Sequence, residues 1–209
     1  NTGMNKIPQT VFIVDDDASF LATMSRWLRA FGYPVESFTS ATDFLAQRTT
    51  DTAGCVVADL EMPGMDGMAL QAALAQSDNP LPIVFLTGYG DIPTSVQAMR
   101  SGAEDFLLKT ASKKELLSAI ERALTRGLYE HETRRRQHDL VQRFAKLTPR
   151  ENEVLSHVLQ GQMNKQIAAD LGIDERTVKR HRSSVMAKLD VKSLVELTQL
   201  SEEAQNHNA

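Results

Sequence analysis

The sequence predicts an α/β fold, a doubly wound five-stranded parallel sheet, followed by a small all-α helix-turn-helix domain. Five short apolar runs before residue 125 alternate with segments whose apolar residues recur at helical spacing. Each run ends at a polar or turn-forming residue, as expected for strands that helices cover on both faces. From residue 148 onward only helical spacing remains, which favours a second, all-helical domain.

The composition is that of an ordinary globular chain with one large domain or two small ones. The chain has 209 residues and one cysteine, Cys55, so it cannot form an internal disulfide. Because Cys55 lies in a strand-like run, we expect it to be a buried apolar residue in a reducing compartment. No apolar run is long enough to span a membrane, and no leader is recognisable. These features predict a cytoplasmic protein without membrane contact.

Charge is distributed unevenly along the chain. Residues 1–125 contain 9 basic and 15 acidic residues, whereas residues 126–209 contain 14 basic and 12 acidic residues. Within residues 176–192, six side chains are basic and one, Asp190, is acidic. An acidic first part and a locally basic second part indicate two domains with different partners.

The first domain, predicted over residues 7–125, alternates strands and helices. The predicted strands are residues 11–14, 35–38, 55–58, 82–86 and 105–108. The predicted helices are residues 20–31, 41–48, 68–75, 92–100 and 113–124. Gly32 and Gly102 end two of the helices, and Pro63-Gly64 prevents the third strand from continuing. This alternation predicts a parallel sheet with helices on both faces.

A polar segment follows, predicted as a linker over residues 126–146. Its middle is almost wholly polar and carries Arg134-Arg135-Arg136. Good helix formers and possible i,i+4 charge pairs favour a solvated helix. The arginine triplet could also contact nucleic acid, but a solvated helix face is the favoured interpretation.

The second domain, predicted over residues 147–205, begins with Thr148-Pro149-Arg150-Glu151, a capping box with proline at the first helical position. Gly161 ends this helix, Asn164 is expected to cap the next, and Asp174 to cap a third. One face of the third helix carries the apolar residues Val178, Val185 and Leu189, which we expect to be buried. Its opposite face is basic, which is typical of a helix-turn-helix.

The first domain brings together polar residues that follow its strands. The carboxyl ends of strands one, three, four and five converge in a doubly wound sheet, and ligands bind there. The residues at these ends are Asp15, Asp16, Asp59, Thr87 and Lys109. Taken singly, each also fits a turn or surface role.

Three carboxylates about 4 Å apart repel by about 4 kcal/mol per pair at an effective dielectric near 20. A divalent cation removes this repulsion, and oxygen ligands without a His or Cys cluster point to Mg²⁺. A carboxylate nucleophile, a metal, a hydroxyl and an ammonium are the components of phosphoryl transfer to an aspartate.

Several motifs carry a family resemblance. They are the acidic pair after strand one, D-x-x-M-P-G-M-D-G from Asp59 to Gly67, Thr-Gly after strand four, and Phe106-x-x-Lys109. With these motifs, residues 7–125 resemble the receiver domain of two-component response regulators. Residues 145–205 resemble the LuxR-type DNA-binding domain, in the segments LTPRENEVL, NKQIAADLGI and RTVKRHRSSVMAKL. The domain order resembles the FixJ/NarL class over nearly the whole chain.

The resemblance implies a CheY-like receiver, of the flavodoxin-like type, whose Asp59 accepts a phosphoryl group from a sensor histidine kinase. It implies that Mg²⁺ is held by Asp15, Asp16, Asp59 and the backbone carbonyl of Glu61. No enzyme activity is expected beyond self-directed phosphoryl transfer and autodephosphorylation.

The resemblance also implies a switch and an output. Thr87 and Phe106 would form the switch pair, and Lys109 would contact the phosphoryl group. Phosphorylation would then promote a homodimer through helix 92–100 and strand 105–108.

DNA contacts are implied in the same way. Lys179, Arg180 and Ser183 would face the major groove of promoter DNA, where Lys and Arg bond guanine edges. Phosphate contacts are expected from the remaining polar residues, namely Arg176, Thr177, Arg182, Lys188 and Lys192. RNA polymerase is a further candidate partner.

One departure from the family pattern stands beside Lys109. The family usually has Lys-Pro with a cis peptide there, and this chain has Lys109-Thr110. Because a cis bond before a non-proline residue costs about 2.5–4 kcal/mol, a trans bond and an altered loop are expected.

Two alternative functions remain at this point. The first is a haloacid-dehalogenase-like phosphatase, in which Asp15 would be the nucleophile and Asp17 the acid. The second, motivated by Thr110, is a DNA-binding regulator that acts without phosphorylation.

Overall fold

A parallel sheet forms the centre of the first part of the chain in the computed structural model, which describes residues 9–49, 51–88 and 92–206. Residues 7 and 8 of the predicted first domain lie outside this range. The strands are β1 Gln9–Val14, β2 Val35–Phe38, β3 Ala53–Ala58, β4 Ile83–Thr87 and β5 Asp105–Leu108. The helices are α1 Ala18–Ala30, α2 Ala41–Gln47, α3 Gly67–Ala75, α4 Ile92–Arg100, α5 Lys113–Ala145, α6 Pro149–Leu159, α7 Asn164–Leu171, α8 Glu175–Leu189 and α9 Leu194–Asn206.

The sheet has the order β2-β1-β3-β4-β5, and every neighbouring pair is parallel. The strand order reverses between β1 and β3, which are adjacent and in register from Gln9↔Ala53 to Val14↔Ala58. The predicted doubly wound fold is confirmed. Its switch point lies at the carboxyl ends of these two strands, where a ligand site is expected.

Alternate residues of the central strands point to opposite faces of the sheet and form two apolar layers. Ile13 and Val57 pack on the side of α1 and α5, whereas Phe12 and Val56 pack on the side of α2 and α3. Cys55 lies in the first layer and is fully buried, as predicted. Burial raises the pKa of its thiol, so Cys55 remains protonated at neutral pH.

The helix α5 changes the interpretation of the linker. Residues 126–146 were predicted as a separate helical segment, but α5 runs without interruption from Lys113 to Ala145. The chain divides into two compact units after Glu132, inside this helix. Each unit therefore includes one end of the same helix.

The second unit contains the end of α5 and the four following helices. Phe144 of α5 packs against its core, and the Arg143 guanidinium donates to the carbonyl of Leu189 at the end of α8, at 3.3 Å. Arg136 forms a bidentate ion pair with Glu203 of α9. Residues 133–145 thus have structural contacts that a solvated linker would lack.

The capping box at α6 is confirmed and extends into a buried network. Thr148 and Glu151 exchange backbone-to-side-chain hydrogen bonds of 2.7 and 3.2 Å. The Glu151 carboxylate also accepts from Lys188 at 2.7 Å and from Ser184 at 2.6 Å. The Lys188 ammonium holds the pKa of Glu151 at about 2. Glu151 therefore stays ionised and ties α6 to α8.

The prediction for α7 was wrong at its start, and α9 was not predicted. Met163 precedes α7, and its N–H donates to Gln166 at 2.7 Å. Asn164 is the first helical residue, and its side chain accepts from Arg182 of α8 at 2.7 Å. Asp174 caps α8 as predicted, through the N–H of Thr177 at 2.8 Å.

Within the described residues, every helix is too short or too polar to cross a lipid bilayer.

Candidate functional site

The acidic residues of the first unit meet at the switch point of the sheet. Asp15 and Asp16 follow β1, and Asp59 follows β3. The N–H of Asp59 continues the strand pairing, since it donates to the carbonyl of Val14 at 2.9 Å. This register fixes the two strand ends side by side, and one carboxylate oxygen from each of the three residues lies within 4.8 Å of the others.

The three carboxylates differ in exposure. Asp15 is 1% exposed and Asp59 is 8% exposed, whereas Asp16 is open to solvent. Burial raises the pKa of Asp15 above its ordinary value, although Lys109 and the N–H of Asp17 oppose this shift. The pocket is therefore a place where negative charge is costly unless a cation accompanies it.

Lys109 supplies the positive charge in this structure. Its ammonium lies 2.6 Å from Oδ2 of Asp15 and 2.8 Å from Oδ2 of Asp59. Burial alone would lower the pKa of Lys109, but the two carboxylates raise it above its ordinary value. Lys109 is thus a cation that bridges the two buried carboxylates.

The Thr110 departure does not remove Lys109 from the pocket. The described residues contain no cis peptide bond, in agreement with the trans bond predicted after Lys109. The N–H of Lys109 donates to the carbonyl of Thr87 at 2.7 Å, and the ammonium lies 4.4 Å from the ring centre of Phe20. Backbone pairing and this cation–π contact therefore position the lysine without proline.

The pocket fits a hard divalent cation. Oδ2 of Asp15 is buried and close to the Lys109 ammonium, yet it accepts no directed hydrogen bond. Its lone pairs and those of Asp16 are oxygen donors of the kind that Mg²⁺ prefers. Asp15, Asp16 and Asp59 could therefore hold Mg²⁺ through their side chains. Glu61 lies two residues after Asp59, and its N–H donates to Oδ1 of Asp59 at 3.3 Å.

The predicted switch residues line the neighbouring strands. Thr87 is 1% exposed and ends β4, the strand next to β3. Phe106 of β5 is half-buried, with its ring centre 6.0 Å from that of Phe85. Both residues lie on the part of the sheet that adjoins Asp59.

Two residues near the pocket have structural roles that the sequence analysis did not assign. A Cβ atom at Gly67 would lie 2.6 Å from the carbonyl oxygen of Asp59 and 2.8 Å from the Phe85 ring, so glycine is required there. Asp17 caps α1 by accepting from the N–H groups of Ser19 and Phe20. The Asp66-Gly67 pair in the sequence indicated a turn at Gly67. The close approach of Gly67 to Asp59 depends on tertiary packing, which the motif does not show.

The second unit presents a basic helix. The exposed predicted residues are Arg176, Lys179, Arg180, Ser183 and Lys192. Lys179 forms an i,i+4 ion pair with Glu175 at 3.2 Å, which is too exposed to contribute much stability. The N–H and hydroxyl of Thr177 both donate to the cap residue Asp174.

Lys188 and Arg182 also have partners inside the unit. Lys188 is paired with the buried carboxylate of Glu151 at 2.7 Å, which joins α8 to α6. Arg182 is half-buried and donates to Asn164 of α7. Both side chains remain predicted phosphate contacts.

Comparisons with known proteins decide the family. A family model described as "Response regulator receiver domain" matches residues 11–121. The chain belongs to the response regulators. A second model, "Bacterial regulatory proteins, luxR family", matches residues 145–201. The receiver and LuxR-type resemblances are thereby confirmed.

Relatives with both domains are similar to this response regulator over most of their length. It is 41% identical to Nodulation protein W of Bradyrhizobium diazoefficiens, over 92% of this chain and 85% of that protein. It is 36% identical to Transcriptional regulatory protein FixJ of the same organism, over 91% of this chain and 93% of that protein. The solved structure of response regulator StyR has a TM-score of 0.87 and 47% identity, and covers 94% of this chain and 99% of that one.

The chain is therefore a two-component response regulator of the FixJ/NarL class with a LuxR-type DNA-binding domain. This membership contradicts the phosphatase alternative with Asp15 as nucleophile. The structure agrees, because Asp17 acts as the cap of α1.

Asp16→Asn and Asp17→Asn test the metal site as a matched pair. We expect Asp16→Asn to weaken Mg²⁺ binding by roughly tenfold or more, because it removes an anionic oxygen ligand. When a chelator removes Mg²⁺, the same change should stabilise the protein by up to about 1 kcal/mol, since it relieves the repulsion of the exposed Asp16 carboxylate by its two neighbours. Calorimetric Mg²⁺ titration and thermal unfolding measure both effects.

Asp17→Asn is the control, because asparagine caps a helix as well as aspartate does. It should leave the Mg²⁺ dissociation constant unchanged. Equal weakening in both variants, or none in Asp16→Asn, would contradict the proposed ligand set.

Proposed function

We propose that this response regulator is phosphorylated on Asp59 by a sensor histidine kinase with Mg²⁺, and that this switches dimerisation and promoter binding. One observation carries the proposal: three carboxylates share a pocket with one lysine that bridges the two buried ones. A structural salt bridge would need one carboxylate. The additional anionic oxygens are explained if a metal and a phosphoryl group enter the pocket.

The chemistry follows from the residues of the pocket. An oxygen of Asp59 attacks the phosphorus of the phosphohistidine, the P–N bond breaks, and the histidine nitrogen leaves. Bound Mg²⁺ would neutralise charge on the phosphoryl oxygens, held by Asp15, Asp16, Asp59 and the backbone carbonyl of Glu61. Burial of Asp59 limits its hydration, so its carboxylate reacts from a preorganised position.

Lys109 and Thr87 would respond to the new group. Phosphorylation of Asp59 adds negative oxygens within reach of the ammonium, which can then pair with phosphoryl in place of Asp15. The Thr87 hydroxyl moves to donate to a phosphoryl oxygen. Phe106 turns into the space that Thr87 leaves, which converts a local charge change into a change of surface.

That surface would be the face of α4 and β5. Ile92, Val96 and Met99 recur at i, i+4 and i+7 on α4, and all three are exposed. Leu108 of β5 is exposed as well. Large apolar side chains grouped on adjoining elements support a homodimer contact through residues 92–100 and 105–108.

The output would be promoter binding through α8. Lys179, Arg180 and Ser183 are proposed to reach base edges. The proposed phosphate contacts are Arg176, Thr177, Arg182, Lys188 and Lys192. Five of these side chains are exposed, which supports the assignment: Arg176, Lys179, Arg180, Ser183 and Lys192. The cognate kinase and promoter DNA are the proposed partners, with RNA polymerase as a further one.

The proposed domains are a receiver over residues 7–125, a linker over residues 126–146 and a DNA-binding domain over residues 147–205. The end of α5, within the linker, packs against the core of the second unit. The second candidate function is a regulator that acts without phosphorylation. The observation favouring it is Thr110, which replaces the family's proline beside Lys109.

Phosphoryl labelling tests the proposed function. The full chain is incubated with Mg²⁺ and acetyl phosphate, and intact mass and peptide mapping locate the added group. We expect one phosphoryl group on Asp59, and none on Asp59→Asn. Chelator should abolish labelling, because the carboxylate cluster repels the anionic donor without a cation.

A phosphoryl group on Asp15 would contradict the proposal. If neither acetyl phosphate nor a kinase labels the chain, while it binds its promoter, the phosphorylation-independent function is correct.

DNA recognition has a separate test, with operators selected from random duplexes. Lys179→Ala with Arg180→Ala should abolish the preference for operator over random DNA and leave Asp59 labelling intact. Lys192→Gln should reduce the salt dependence of binding by about one phosphate contact. Lys146→Gln is its matched control, because Lys146 is an exposed lysine outside α8, and it should leave the salt dependence unchanged. Retained selectivity in the double variant would show that another face reads the bases.

A further inference from the structure

A buried glutamine links α3 to α4, at a distance from the acidic pocket. Gln71 of α3 is 5% exposed, and its Nε2 donates to the backbone carbonyl of Ala98 in α4 at 3.1 Å. Ala98 is itself fully buried. The bond therefore joins two helices at atoms that are largely buried.

The carbonyl that Gln71 contacts belongs to the last turn of α4. Here the N–H of Gly102 donates to Met99 and the N–H of Ala103 to Ala98, at 3.0 and 3.1 Å, with Gly102 at a φ of +90°. This is a Schellman ending, in which Ala98 accepts from beyond the helix. Gln71 adds a second donor to the same oxygen. The amide orientation is fixed, because the opposite one would face carbonyl oxygen against carbonyl oxygen.

The packing of α4 leaves space on the side of α3. Ala98 is the one buried residue of α4, and the large apolar side chains of this helix are exposed. A groove of about 460 Å³ lies between α3 and α4, bordered by Gln71, Met68, Gln97 and Ser101. The helix therefore has room to move beside α3.

Gln71 is not fully satisfied in this arrangement. Its Oε1 atom is buried and has no hydrogen-bond partner. A buried amide of this kind costs stability compared with an apolar side chain of the same shape. The Gln71 hydrogen bond depends on the direction between donor and acceptor, so it favours one position of α4 over neighbouring positions.

We propose that Gln71 is a positioning residue that holds α4 in its unphosphorylated arrangement and thereby restrains dimerisation. The proposal rests on the proposed function, in which the α4 and β5 face forms the dimer. Without the Gln71 bond, α4 moves more freely, and the dimer-competent arrangement becomes more populated before any phosphoryl transfer.

Gln71→Met tests the proposal, because methionine keeps the length of the side chain and lacks the amide donor. Gln97→Met is the matched control, since Gln97 is exposed and borders the same groove. Hydrogen exchange in peptides covering residues 92–100 and sedimentation of the unphosphorylated full chain are the measurements. Gln71→Met should exchange roughly tenfold faster in this helix and dimerise roughly tenfold more tightly, the scale of one hydrogen bond. Gln97→Met should match the wild type in both.

Wild-type exchange and wild-type dimerisation in Gln71→Met would overturn the proposal, as would faster exchange without tighter dimerisation. Gln71→Leu provides a second variant without a hydrogen-bond donor if Gln71→Met does not fold, and the same two changes are expected. Acetyl phosphate should label Asp59, and no other residue, in all variants. Absence of labelling in the wild type would overturn the proposed function, whereas the exchange measurement would still report on Gln71.

Discussion

The contact between Lys109 and two buried carboxylates is the interaction on which the first unit depends. Asp15 and Asp59 are placed side by side by the pairing of β1 with β3, and their charges would repel without a cation. At about 4 Å and an effective dielectric near 20, that repulsion is about 4 kcal/mol. The Lys109 ammonium offsets it and is held by the pairing of β5 with β4. The strand order therefore determines which charged groups meet in the pocket, and the pairing of these charges in turn stabilises that strand order.

This constraint is the basis of the proposed phosphorylation switch. One ammonium serves two anionic partners, so a new anion on Asp59 changes the partners that Lys109 can satisfy. The elements beside the pocket are packed tightly, as the close approach of Gly67 to Asp59 shows. By contrast, Ala98 is the one buried residue of α4, and the Gln71 amide bonds this helix to α3. In the proposed switch, a change of charge at the pocket moves α4, which carries exposed apolar side chains.

The sequence predicted the parts of this account that depend on local pattern. Strand ends, helix periods and the capping boxes are short-range signals, so the fold and the convergence of Asp15, Asp59 and Lys109 could be inferred. What it did not predict depends on tertiary partners. The continuity of α5 into the second unit required knowing that Phe144 and Arg143 contact that unit. The sequence did not distinguish Lys188 from the other five basic residues between positions 176 and 192, because only the structure shows its pairing with Glu151.

Helix α9 was missed although its start has a local signal. Ser193 precedes the helix, and its hydroxyl accepts from the N–H of Glu196 at 3.1 Å, a Ser-x-x-Glu capping pattern that is visible in the sequence. Its place in the fold comes from packing of Leu197 on the second core, which the sequence does not display. Asn164 was a plausible cap by type, yet Gln166 and Met163 form that helix start and Asn164 pairs with Arg182. Residue type restricts the choices, and the surrounding structure selects one of them.

The most direct measurement is a crystal structure of the chain with Mg²⁺ and beryllium fluoride, a phosphoryl mimic. The account predicts the fluoride group on Asp59 and the metal about 2.0–2.1 Å from oxygens of Asp15 or Asp16 and Asp59. It also predicts that the Lys109 ammonium leaves Asp15 for a fluorine atom. A metal bound away from these carboxylates, or a fluoride group on Asp59 with Lys109 still bridging Asp15, would contradict the account.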